Sequence, residues 1–178
     1  LKSIEGPVIE IPEGLSQFKD YKNLTNDTAH IEELCKPFTY KKSDGIEVSK
    51  HAGAHFYTIG QRKGLHIGGR PQPSFVIATN TEENIVYSGQ TDAHPGLNRI
   101  ALKIESGSQN WISRHNEHEE IDYDFRIRYR QSLQKGKLVQ KNGSYYVLFH
   151  NKQKGISPGQ FVAWYEKDVL VGSGVIEN

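Results

Sequence analysis

Short runs in which apolar and polar residues alternate, each closed by turn-forming residues, dominate the chain and predict strands. The alternation is strict in Phe125-Arg126-Ile127-Arg128-Tyr129-Arg130. A period of two would put the three arginines on one face of a strand and Phe125, Ile127 and Tyr129 on the other. Leu138 to Lys141 and Ser144 to Phe149 flank Asn142-Gly143, the pair preferred in a type I′ hairpin because both central residues need a positive φ. Ser157-Pro158-Gly159-Gln160 is a second turn. Phe161 to Tyr165 follow it, then a charged turn at Glu166-Lys167-Asp168, then Val169 to Ile176 interrupted by Gly172 and Gly174. Upstream, Phe75 to Thr79 and Ile85 to Tyr87 surround Glu82-Glu83-Asn84 as another hairpin, and Ala101 to Ile104 is one more strand. Helical signals are confined to Thr28 to Cys35, with Asp27 or Thr28 as the cap. Such short strands with turn chemistry between them predict a mainly β chain. Residues 1–94 are expected to form a small central β-rich domain with a polar insertion at about 14–45, and residues 95–178 a C-terminal antiparallel β-barrel of the elongation-factor-like kind. The boundary is placed at the turn-rich Asp92-Ala93-His94-Pro95-Gly96.

Composition adds limits. The 178 residues include one cysteine and no methionine, and begin at Leu1, which predicts a piece of a longer protein. Cys35 alone excludes a disulfide framework and fits a cytoplasmic location. The longest apolar runs fall far short of the ~20 residues a membrane helix needs, so no membrane partner is expected.

Charge is nearly balanced, 22 basic against 21 acidic residues, but unevenly placed. From Phe125 through Tyr165 no acidic residue occurs, whereas Arg126, Arg128, Arg130, Lys135, Lys137, Lys141, Lys152 and Lys154 do. Charge alone leaves two readings: a face that attracts polyanions, or an ordinary surface whose counter-charges sit on neighbouring strands such as residues 117–124. Arginine at all three positions of the 125–130 run favours oriented, bidentate contacts. Tyr123, Tyr129, Tyr145, Tyr146 and Trp164 offer flat surfaces for an unstacked base, although most such aromatics fill cores.

Other chemistry is weakly signalled. His51 with His55, and His115 with His118, have ligand-like spacing but no helical context and no third ligand, so no metal is expected. Cys35 lies among Glu32, Glu33 and Lys36 with only His30 near, so a structural thiol is expected and no catalytic residue is assigned. Gly60-Gln61-Arg62-Lys63-Gly64-Leu65-His66-Ile67-Gly68-Gly69-Arg70 combines glycines with basic residues but lacks the strand, loop and helix order of a nucleotide site. A glycine-hinged loop that touches an RNA backbone through Arg62, Lys63 and Arg70 is the better reading.

His55-Phe56-Tyr57-Thr58-Ile59-Gly60-Gln61-Arg62-Lys63-Gly64-Leu65 followed by Ile67-Gly68-Gly69 resembles the signature that opens the central domain of the MnmA/TrmU family of tRNA 2-thiouridylases. Ile127-Arg128-Tyr129-Arg130-Gln131, Pro158-Gly159-Gln160 and Gly172-Ser173-Gly174-Val175-Ile176 agree in order and spacing. The resemblance covers about residues 47–178, with Gly6 to Ile11 as a lead-in segment. It implies a parent enzyme that adenylates the wobble uridine with ATP and replaces its C2 oxygen with sulfur carried as a cysteine persulfide. The family's Ser-Gly-Gly-x-Asp-Ser nucleotide loop and both catalytic cysteines have no match here, so this portion is expected to bind tRNA at the anticodon region without cofactor or catalysis of its own. The expected partners are tRNA, a nucleotide-binding domain that precedes this portion, and a sulfur-donor protein acting through the parent. The family's tRNA contacts match Arg128, Tyr129 and Gln160; Arg62, Lys63 and Arg130 are added as candidate phosphate contacts. Residues 14–45 and Gln153-Lys154-Gly155 depart from the family pattern. The alternative is a β-barrel module that docks an acidic protein on the basic strand.

Overall fold

A computed structural model describes residues 4–112 and 119–177. The chain divides into two compact units, Leu1–Asn23 with Phe38–Asn98 and Leu24–Pro37 with Arg99–Asn178.

The first unit is built on strands β1 (Gly6–Glu10), β2 (Ile46–His51), β3 (Ser74–Asn80) and β4 (Ile85–Gln90), in the order β2-β1-β4-β3. β1 runs parallel to β4 and the other neighbours are antiparallel. Successive side chains on a strand point to opposite faces, and here both faces are covered. Ile9, Ile77, Ile85 and Tyr87 pack with Ile11, Phe18 and Leu97 in one core, while Val8, Val76 and Val86 pack with Ala54 and Leu65 in another. The predicted β3–β4 hairpin forms, its turn closed by the Asn80 side chain accepting from the Glu83 amide at 3.0 Å. Part of the polar segment contains a helix, α1 (Ser16–Asn23), which the pattern does not announce. Only Phe18 and Tyr21 of its eight residues are buried, and Phe18 packs edge-on against Phe38 and His94.

His94 carries a consequence for stability. Fully buried, its Nδ1 accepts from the Gly96 amide at 3.1 Å, so the ring proton sits on Nε2 and is donated to the Ile11 carbonyl at 3.1 Å. The neutral ring is thus fully satisfied, and burial holds its pKa below the usual imidazole value of 6.5. His51, also buried, accepts from the Gly53 amide and is shifted the same way by burial. A folded pKa below the unfolded one means that the unfolded chain binds more protons, so stability falls as pH drops through the unfolded value of 6.5 toward the folded one. Urea midpoints should be flat between about pH 8 and 7.5 and decline from pH 7 to 5.5, before carboxylates titrate. Midpoints independent of pH across that interval would contradict this account.

The second unit holds β5 (Asn98–Ile104), β6 (Asn110–Trp111), β7 (Glu120–Arg126), β8 (Gln134–Lys141), β9 (Ser144–Lys154), β10 (Phe161–Glu166) and β11 (Val169–Val175), in the order β5-β9-β8-β7-β10-β11-β6. The Asn142-Gly143 hairpin forms as expected, with φ of 52° and 75°. Helix α2 (Ile31–Cys35) follows a single 3-10 turn at Thr28–His30, capped by the Asp27 side chain, which accepts from the His30 amide at 3.1 Å. Ile31, Leu34 and Cys35 are its buried residues.

Two expectations are overturned. The mainly β composition stands, but the elongation-factor-like C-terminal barrel does not form, because among the described residues neither sheet closes on itself. The seven-stranded sheet runs from one edge, β5, to another, the two-residue β6. Ends of β5 and the β11 region meet only in a single bridge at Ile104 and Ile176, not in a ladder. The strict alternation at residues 125–130 also fails as a strand. The last rung of β7 on β10 is Arg126 opposite Ala163, after which the chain bends away. The Gln131 side chain accepts from the Ile127 amide at 3.1 Å and the Gln131 amide donates to the Arg128 carbonyl at 3.1 Å. Backbone groups are therefore satisfied by a turn rather than by a ladder. Arg128, Tyr129 and Arg130 project from that turn, and Tyr129 is 91% exposed rather than inward.

Candidate nucleic-acid interface

The ambiguity in the basic stretch resolves side chain by side chain. Antiparallel pairing sets β7 against β8 so that Asp124 faces Lys135, and the two meet at 2.8 Å. Lys137 reaches Glu120 diagonally at 3.2 Å, and Lys141 lies 3.6 Å from Glu32 and donates to the Ala29 carbonyl. These lysines belong to a solvated, neutralised surface. Arg126, Arg128 and Arg130, by contrast, have no carboxylate partner among the described residues.

Arg126 and Arg128 converge on one groove of about 530 Å³, lined also by Ile127, Tyr129, Gln160, Phe161, Ala163 and Tyr165. β10 supplies its floor. Val162 and Trp164 are fully buried, so alternation turns Phe161, Ala163 and Tyr165 outward. Arg126, opposite Ala163, lays its guanidinium 5.6 Å from the Tyr165 ring centroid, and its Nε is buried without a hydrogen-bond partner. Arg128 gives one of its five donors to the Gly155 carbonyl at 2.7 Å and keeps the others for the groove. Gln160 is held by its backbone: its amide donates to Ser157 and its carbonyl accepts from Ile176. Gly159 before it takes a φ of 76°, a left-handed conformation that glycine adopts without strain.

The turn bearing Arg128 and Tyr129 rests on amides. Gln131, which holds the Ile127 amide, donates from Nε2 to Gln153 Oε1 at 2.7 Å. Gln153 is 3% exposed and donates in turn to the Asn151 carbonyl at 2.8 Å. Gln153 and the Gly155 carbonyl are the groups that brace the turn and orient Arg128.

Of the six predicted contacts, Arg128, Tyr129 and Gln160 share this groove, and Arg130 is exposed in the adjoining turn. Arg62 and Lys63 are exposed on a loop of the other unit. That loop is shaped by side chains: Tyr57 Oη donates to the Gly64 carbonyl at 2.9 Å, and Gln61 bridges the Thr58 amide and the Lys63 carbonyl. Arg62 lines a second groove, of about 380 Å³. Arg70 lines the same groove, and its guanidinium makes a two-pronged ion pair with the buried Glu10, which also accepts from Gln90 at 2.9 Å. Among the candidate base platforms, Trp164 and Tyr146 are buried, and Tyr123 and Tyr145 pack against the core; only Tyr129 is accessible. Phe161 and Tyr165 were missed. Their signal was the outward alternation of 161, 163 and 165, legible once Val162 and Trp164 are recognised as the inner face.

Burial pushes the Cys35 thiol up to about 12, which makes it a packing residue rather than a nucleophile or sulfur carrier. Among the described residues no group of three His, Cys, Asp or Glu is arranged to hold a metal. His115 and His118 lie outside the described residues. No helix among the described residues is long and apolar enough to cross a membrane.

Comparison with known proteins gives consistent matches. Residues 36–90 match a family described as the tRNA methyl transferase PRC-barrel domain, and residues 102–176 one described as the aminomethyltransferase beta-barrel domain. The chain is 44% identical over 180 residues to the tRNA-specific 2-thiouridylase MnmA of Christiangramia forsetii, covering 99% of this chain and 46% of that protein. It is 46% identical over 140 residues to the same enzyme of Flavobacterium johnsoniae, covering 77% and 35%, and 39% identical over 172 residues to that of Karelsulcia muelleri, covering 97% and 43%. The chain thus spans less than half the length of each of these relatives.

Proposed function

Since this chain belongs to the MnmA/TrmU family of tRNA 2-thiouridylases, which it matches over less than half of its relatives' length, we propose that it is the tRNA-holding portion of a longer ATP-dependent enzyme that thiolates the wobble uridine. The observation that carries this reading is the groove in which Arg126 and Arg128 stand without a carboxylate partner among the described residues, beside Tyr129 and Gln160. Arginines free of acidic partners suit phosphate, whose planar, bidentate recognition they favour. Gln160, fixed by its turn, presents both a donor and an acceptor to a base edge or a sugar. Arg130, Arg62 and Lys63 act as outlying phosphate contacts.

In this reading the nucleotide and sulfur chemistry would belong to another part of the parent protein. The residues described here do not fit ATP. The glycine-rich loop leads into irregular chain and a strand rather than a helix, and Arg70 is paired with Glu10. Cys35 is likewise unsuited to carry the sulfur, for the reason already given. No step of the chemistry is assigned to this chain beyond holding and orienting the tRNA.

The test is a binding titration of the purified chain with tRNA across a salt series. The logarithm of the affinity should fall linearly with the logarithm of the salt concentration, because each neutralised phosphate releases counterions, with a slope of about −0.7 to −0.9 per contact. Absence of binding at low salt would remove the proposal.

A further inference from the structure

Phe161 is the odd residue of the groove. It occupies an outward strand position where polar side chains are normal, is 64% exposed, and stands with the 91% exposed Tyr129 on the rim of a groove flanked by arginines. A lone exposed apolar residue needs no explanation, but aromatic, small and aromatic side chains at 161, 163 and 165 of one strand form a continuous surface. The small Ala163 leaves the space between the two rings open, and Arg126 opposite it covers Tyr165 rather than Phe161. The groove therefore offers two exposed aromatic rings, Tyr129 on the turn and Phe161 on the strand, the guanidiniums of Arg126 and Arg128, and an amide at Gln160; of the two rings Phe161 is the one set on the regular floor of β10.

We infer that this groove receives a single unstacked nucleotide, its base laid on Phe161, its phosphate on Arg126 and Arg128, and its base edge within reach of Gln160. The inference rests on the tRNA-binding reading and narrows it: the site takes unpaired rather than duplex RNA. A base within an A-form helix has both faces covered by its neighbours and cannot lie on a protein ring, whereas loop and bulge nucleotides can be splayed onto one. The cavity volume is in the range of small-ligand sites.

The experiment compares the full chain with Phe161→Ala, Phe161→Tyr and Arg128→Ala for affinity to three probes: a tRNA transcript, a single-stranded oligonucleotide and a blunt RNA duplex. Phe161→Ala should weaken tRNA and the single strand by about five- to tenfold, the low end of base-stacking losses at an open site, and leave the duplex unchanged. Phe161→Tyr, which keeps the ring, should bind as the parent does. If Arg128→Ala weakens tRNA binding but Phe161→Ala does not, or weakens the duplex equally, stacking is overturned while tRNA binding stands. Loss of binding in Phe161→Tyr equal to that in Phe161→Ala would also overturn it. If neither Arg128→Ala nor Phe161→Ala has an effect, the groove is not the tRNA site at all. Thermal melting of each variant separates these outcomes from unfolding, to which an exposed side chain should contribute little.

Discussion

Replacing Arg128 with alanine is expected to weaken tRNA binding by about ten- to a hundredfold and to reduce the salt slope by about one contact. The magnitude follows from the kind of bond lost. A charge-assisted hydrogen bond contributes about 1.5–3 kcal/mol, and Arg128 has no carboxylate partner among the described residues that would already consume it. Its Nη2 bond to the Gly155 carbonyl fixes the side chain beforehand, so little side-chain entropy remains to be lost when phosphate arrives. Arg128→Lys separates charge from geometry: it should keep the slope and lose part of the affinity, since an ammonium cannot make the planar fork. Lys135→Ala is the contrasting control. Its ammonium faces Asp124 at 2.8 Å, so its removal should alter affinity far less. Equal effects at 128 and 135 would show that binding follows bulk charge and not this groove.

The largest stability effect is expected at Trp164, where alanine should cost about 3–5 kcal/mol, measurable as a fall in the urea midpoint. Trp164 is fully buried at the centre of the second unit's core, with Trp111 edge-on at 5.1 Å. Its indole Nε1 is buried without a hydrogen-bond partner, so the residue is retained for volume rather than for a polar bond. Gly172 on β11 makes room for it. A Cβ there would lie 2.7 Å from the indole ring, inside van der Waals contact, so Gly172→Ala alone should destabilise. In the Trp164→Ala background the same change should cost much less, because the vacated space accepts the methyl group. Strict additivity of the two substitutions would refute this packing account. The result also bears on function, because β10 carries Trp164 on one face and the groove floor of Phe161, Ala163 and Tyr165 on the other. Collapse of the inner face would shift the outer one.

Much was readable before any coordinates, and the reasons are local. Asn142-Gly143 demands positive φ at two adjacent residues, which few other pairs accept, so the hairpin declared itself. Asp27 as a cap, the Ser157–Gln160 turn and the strand that follows it at Phe161 to Tyr165 are likewise properties of neighbouring residues. Motifs in series placed Arg128, Tyr129 and Gln160, which the groove then brought together.

What the chain alone could not decide depended on partners distant in sequence. The Arg126 to Arg130 alternation fits a strand, but a strand needs a neighbour, and β10 pairs no further than Arg126. Beyond that rung the Gln131 side chain, braced by Gln153, supplied the hydrogen bonds instead. Barrel closure likewise required a ladder between edges, and only one bridge forms among the described residues. Arg70 gave no local sign of its ion pair with Glu10, sixty residues earlier. The balanced net charge could not reveal which cations were neutralised, because that is set by strand register: Lys135 was paired off by Asp124, while Arg128 and Arg130, beyond the end of the ladder, face no carboxylate among the described residues. Periodicity and turn chemistry are written in neighbouring residues, whereas neutralisation, closure and the groove itself arise from long-range pairing, which only the tertiary structure decides.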